Sequence, residues 1–157
     1  MMNLGFDKLG GGRLTGPTGF GKPTLVVNTA SECGYTPQYQ QLQELWAAYG
    51  GRGLVVLGVP CNEFGQQEPG DAKQIGAFCE KNYGVSFPLA AKAAILDARA
   101  RHPFYASVAQ ALGEDQLPRW NFHKFLVGAD GNLLGSWPSK VSPMAREITE
   151  AVEKALK

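Results

Sequence analysis

Cysteine is scarce, and it comes in the wrong number and spacing for a scaffold: Cys33, Cys61 and Cys79. An odd count with no CxxC pair excludes a disulfide framework and a zinc cage, and points to free thiols in a reducing compartment. Long apolar runs are missing as well. No stretch approaches the length of a membrane span, and the first residues lack a basic segment followed by an apolar one. A cytoplasmic protein without a membrane anchor is expected. An excess of one charge is also absent, because 15 basic and 14 acidic residues leave a formal +1 with no basic stripe. Neither nucleic acid nor an anionic membrane surface is an implied partner. The two histidines, His102 and His123, are far apart and show no metal spacing, so both read as surface or structural residues.

What is present fits one compact domain over residues 1–157, long enough to bury roughly two-thirds of its unfolded surface without disulfides or metals. The first 21 residues are glycine-rich with little apolar periodicity, and predict only an irregular hairpin. Order begins with the β-branched run Thr24 to Ala30, the mark of a buried strand. Tyr39, Leu42, Leu45, Trp46 and Tyr49 then recur at helical spacing until Gly50-Gly51 stops them. A second continuous apolar run, Gly53 to Pro60, completes a βαβ unit with parallel strands. The loops that follow the two strands must therefore open on one sheet edge, the edge where open α/β sheets bind ligands.

Further along, a helix is expected over Asp71 to Tyr83 with Ile75, Phe78 and Cys79 on its apolar side. Val85 to Pro88 reads as a short extended piece, and Pro103 to Leu112 as a helix. Trp120 to Gly128 alternates like a strand, Ala129-Asp130-Gly131-Asn132 is a turn signal, and Leu133 to Trp137 returns as a hairpin partner. A last helix starts near Pro143 with Met144, Ile148 and Val152 in its buried stripe. This βαβα-ββα order predicts an α/β thioredoxin-like fold, a central mixed sheet flanked by helices.

Cys33 stands between the first strand and the first helix, in Asn28-Thr29-Ala30-Ser31-Glu32-Cys33-Gly34-Tyr35-Thr36-Pro37. Free cysteine is commonly buried and inert. Here the flanking Ser31, Glu32 and Gly34 offer no apolar wall, Thr36 is a candidate helix cap, and Pro37 suits a first helical position. Backbone N–H groups at a helix start stabilise a thiolate, which is the nucleophilic form. Cys33 is thus placed to react. Cys61, directly after a buried strand, reads as a small core residue.

Three blocks, Asn28 to Thr36, Cys61 to Gly70 and Trp120 to Val127, resemble in order and spacing the signature blocks of the glutathione peroxidase family. Asn82 to Pro88 and His102-Pro103 resemble family segments too, so the likeness covers nearly the whole chain after Gly21. The resemblance implies a thiol-dependent peroxidase that reduces hydrogen peroxide and organic hydroperoxides, with no cofactor and no metal. Cys33 would be the peroxidatic residue, with Gln67, Trp120 and Asn121 completing the family's tetrad. The chemistry agrees: a thiolate breaks the weak O–O bond, while neutral amide and indole donors hold it and hydrogen-bond the departing oxygen as it is protonated. The first product would be a sulfenic acid on Cys33.

Cys79 stands where members with a second redox cysteine place the resolving residue. Reaching Cys33 would require the Asp71 to Tyr83 segment to open, and Gly70, Gly76 and Gly84 make it a poor helix by propensity. On that scheme thioredoxin serves as reductant better than glutathione does. The short stretch from Leu89 to Arg119, where tetrameric relatives carry a longer segment, implies a monomer. Departures from the common pattern are Glu32 for a lysine, Glu63 for a glutamine, Gln66 for a glycine, and Ser136 near a frequent arginine. A non-enzymatic redox sensor on the same fold is the competing reading; the full tetrad favours the enzyme.

Overall fold

The computed structural model describes all 157 residues. Six strands and four helices follow in the order β1 (Phe6–Asp7), β2 (Arg13–Thr15), β3 (Thr24–Thr29), α1 (Gln38–Tyr49), β4 (Val55–Pro60), α2 (Ala72–Tyr83), α3 (Pro103–Leu112), β5 (Lys124–Val127), β6 (Leu133–Trp137) and α4 (Arg146–Ala155). The main sheet has the order β4-β3-β5-β6; β3 and β4 are parallel, and the other two pairs are antiparallel. This is the thioredoxin-like mixed sheet that the element order predicts.

Every residue of β3 and β4 is buried, because helices cover both faces of the sheet. Alternation along β3 sends Leu25 and Val27 to one core and Val26 to the other. The first core gathers Tyr39, Leu42 and Leu45 of α1, Ile75 and Cys79 of α2, and Ile148 and Val152 of α4. The second holds Phe104, Tyr105 and Val108 of α3 together with Met2, Leu4 and Phe6. The chain's first residues are therefore core, even though their glycines suggest little order: β1 pairs with β2, and Phe6 stacks on His102 with ring centroids 4.4 Å apart.

Three expectations are corrected. The strand starts at Lys124, four residues after Trp120, because Phe122 adopts a left-handed φ of 64° and turns the chain. Thr36 does not cap α1: its hydroxyl donates to Ala30 O and accepts from Cys33 N, while Pro37 holds the cap position with no side-chain bond. And α2 is not weakly built. Asp71 and Gln74 form a reciprocal capping box, and Gly84 closes the helix in the left-handed conformation, which leaves Gly76 as the one glycine inside.

Candidate active site

Register places the site. Thr29 lies opposite Pro60, so the loops leaving β3 and β4 emerge side by side. They are joined there: the Ser31 and Glu32 N–H groups both donate to Gln67 O, at 3.2 and 3.0 Å. Within the first loop the Cys33 N–H donates to Thr36 Oγ1 at 2.9 Å, and the Tyr35 N–H donates to Cys33 Sγ at 3.3 Å. That bond fixes the sulfur in the loop just ahead of α1.

The wall around this sulfur differs from the expectation. Cys33 is only 8 % exposed and packs into the core of Ala30, Tyr39 and Phe122. Its sequence neighbours are polar, but its spatial neighbours come from α1 and from the turn before β5. Glu32 is exposed, so its charge is screened by solvent.

Asn28, fully buried at the end of β3, sets that turn with three hydrogen bonds. Its Nδ2 donates to Trp120 O at 3.0 Å, its backbone carbonyl accepts from Phe122 N at 2.7 Å, and its Oδ1 accepts from His123 N at 3.1 Å. Phe122's left-handed backbone and this clamp orient Asn121, whose Nδ2 donates to Gln67 Oε1 at 3.0 Å and Phe64 O at 3.3 Å. The Trp120 ring closes against the β4 loop. It packs edge-on to Phe64, and a Cβ on Gly65 would lie 2.8 Å from Trp120 Cη2, so only glycine fits there. Gln67, Asn121 and Trp120 are thus tied to one another and to the Cys33 loop. A cleft of about 410 Å³ opens beside Trp120, lined also by Tyr35, Arg119, His123, Pro138 and Lys140.

The other thiols have different surroundings. Burial pushes Cys61 up to about 12 and Cys79 up to about 11, so both are held protonated at neutral pH. Cys79 lies in α2 against the same core as Cys33, and all three cysteines are free. Glu63 is an anchor rather than a site residue. Burial opposes its charge, but the N–H groups of Ile95, Leu96 and Asp97 converge on its carboxylate and hold it below the usual range. Ser136 is taken up by His123, Oγ to Nε2 at 2.8 Å.

Asn28, Thr36 and Glu68 are the contributors that residue patterns missed. Asn28 and Thr36 sit inside the recognisable block, but nothing local says which backbone groups they reach. Glu68 is 1 % exposed, an unusual state for a carboxyl group that no sequence signal announces.

Comparison with known proteins identifies the family. A family model described as Glutathione peroxidase matches residues 13–109. The glutathione peroxidase-like peroxiredoxin GPX5 of Chlamydomonas reinhardtii is 44% identical over 137 residues, 87% of this chain and 83% of that protein. The hydroperoxy fatty acid reductase gpx1 of a Synechocystis strain is 46% identical over 144 residues, with the same two coverages, 87% and 83%. The crystal structure of Trgpx in its apo form superposes with a TM-score of 0.74 at 30% identity, covering 99% of this chain and 94% of that one. With the fold, the joined loops and these relatives in agreement, the chain belongs to the glutathione peroxidase family and is a thiol-dependent peroxidase.

Proposed function

We propose that Cys33 is the peroxidatic residue and that Gln67, Trp120 and Asn121 are its donor set. The observation that supports this most is the bonding between segments: Gln67 receives the Cys33 loop on its backbone carbonyl and Asn121 on its side-chain carbonyl. The Cys33 thiol gives its proton to solvent, the thiolate attacks one oxygen of the hydroperoxide, the O–O bond breaks, and the departing hydroxide or alkoxide takes a proton back from solvent to leave as water or alcohol. Cys33 becomes a sulfenic acid. Cys79 then condenses with it, releasing water, and a dithiol of the thioredoxin type reduces the disulfide in preference to glutathione. Substrates are hydrogen peroxide and organic hydroperoxides. The relative named a hydroperoxy fatty acid reductase and the open cleft beside Trp120 favour bulky peroxides among them. The working unit is one cytoplasmic, monomeric domain.

The test is peroxide consumption with thioredoxin and with glutathione, run side by side on the wild type, Cys33→Ser and Cys79→Ser. Cys33→Ser is expected to lose all turnover while staying folded. Cys79→Ser is expected to keep one round of peroxide reduction and to lose thioredoxin-supported cycling. Normal cycling in Cys33→Ser ends the peroxidatic assignment, and normal thioredoxin cycling in Cys79→Ser ends the resolving one.

A further inference from the structure

Six buried side-chain oxygens of this protein lack a hydrogen-bond partner, and four belong to one neighbourhood: Thr29 Oγ1, Ser31 Oγ, the Tyr39 hydroxyl and Glu68 Oε2. Burying such atoms unpaired is costly and rare, so four together ask for a reason. The Tyr39 hydroxyl lies beside Cys79 and Thr29, and the Glu68 carboxyl beside Ser31, without hydrogen-bond geometry in either place. Ser31 is two residues ahead of Cys33. Glu68 also faces Gln74, Ile75 and Phe78 of α2 across a second cleft of about 410 Å³, and Cys79 is the next residue along. A carboxylate oxygen without a hydrogen-bond partner thus lies beside Ser31 of the Cys33 loop and near enough to Cys79 to act on its charge.

The resolving step needs a base there. Burial holds Cys79 as a thiol, and a thiol attacks poorly. Tyr39 is pushed well above its ordinary range by burial and by Cys79, and cannot supply the base. Glu68 is raised from the usual carboxyl range, first by burial and further by exposed Glu32; Ser31 and Lys92 act against that rise. A carboxyl moved toward neutrality is suited to exchange protons. The Glu68 N–H donates to Asn62 Oδ1 at 2.9 Å, and the neighbouring Gln67 carbonyl receives the Cys33 loop. Glu68 is therefore tethered to the Cys33 loop by bonds that do not involve α2.

Resting on the assignment of Cys79 as the resolving residue, we propose that the Glu68 carboxylate takes the Cys79 thiol proton and returns it to the hydroxide leaving Cys33. The Cys79 S–H bond breaks toward Glu68 Oε2 as the Cys79 sulfur bonds to the Cys33 sulfur. The Cys33 S–O bond breaks with its electron pair on oxygen, and the Glu68 proton completes a water molecule. Cys79 is oxidised, the sulfenic sulfur is reduced, and Glu68 ends as it began.

Stopped-flow measurement after one equivalent of hydrogen peroxide, with quenched mass spectrometry of the Cys33–Cys79 link, separates the two steps. In Glu68→Gln the ratio of the disulfide-forming rate to the sulfenic-acid-forming rate is expected to fall roughly a hundredfold, the scale for losing a positioned base. The wild-type disulfide rate is expected to level off once Glu68 is ionised, well below the pH at which the Cys79 thiol ionises, a second readout that needs no variant. An unchanged ratio in Glu68→Gln overturns the proposal, as does a wild-type rate that climbs tenfold per pH unit through pH 9, the behaviour of an unaided thiol. A wild type that forms no Cys33–Cys79 link at all overturns the resolving assignment itself, and this proposal with it.

Discussion

Gln66 adopts a left-handed φ of 53° on an exposed loop, next to Gly65 at 71°. A side chain in that region costs about 1–2 kcal/mol, which glycine avoids while giving back part of it as unfolded-chain entropy. Gln66→Gly is expected to stabilise the protein by about 0.5–1 kcal/mol; a lower urea midpoint would contradict the strain. A second residue sets a pH limit. His123 is pushed down to about 4, chiefly by burial and further by Lys124. Its folded value lies below its unfolded one, so between about pH 6.5 and 4 the unfolded chain holds more protons. Stability from this group is complete above the unfolded value and is lost as pH falls through that window, by roughly 3 kcal/mol in all. Urea titrations across the window should show the loss, and His123→Asn should flatten it.

At the scale of the element, the proposed resolving role of Cys79 requires α2 both to hold that residue and to release it. Its capping box and its Gly84 closure favour the helix, while Gly76 weakens its middle. Asp71→Ala is expected to cost about 1 kcal/mol, which raises amide exchange in α2 about fivefold. Gly76→Ala should act the other way, because the added Cβ would meet Leu9 Cδ2 at an ordinary 3.6 Å. If opening limits the Cys33–Cys79 link, disulfide formation speeds up in the first variant and slows in the second. Hydrogen exchange that moved oppositely in the two while the disulfide rate stayed constant would show that opening is not limiting.

For the whole molecule, the two cores on opposite faces of the sheet make the N-terminal segment structural. Phe6 is 1 % exposed between His102 and Phe104, and the Met2 N–H reaches Gly131 O across the fold. Phe6→Ala is expected to cost about 3–5 kcal/mol, read as a lower urea midpoint at unchanged slope. A loss below 1 kcal/mol would mean that the segment is dispensable. The mass in solution by light scattering should be that of one chain, 16.9 kDa; a stable tetramer at micromolar concentration would contradict the monomer.

The sequence by itself determined the helices and strands that carry continuous periodicity. β3, β4, α1, α3 and the β5–β6 hairpin lie within a few residues of their patterns, because burial on one or two faces dictates which positions are apolar. It also placed Cys33 on a strand-to-helix turn and, through resemblance, singled out Gln67, Trp120 and Asn121. Contact across the chain decided the rest. Phe122 breaks the strand pattern because Asn28, 94 positions earlier, clamps the turn. Thr36 does not cap α1 because its hydroxyl is taken up by Ala30 O and Cys33 N. The glycine-rich start is ordered by a core that other segments build, and the burial of Cys33, Glu68 and Cys79 together follows from register and helix packing. A pattern in the sequence records which face of its own element a residue takes, whereas partners distant along the chain are set only when the elements pack.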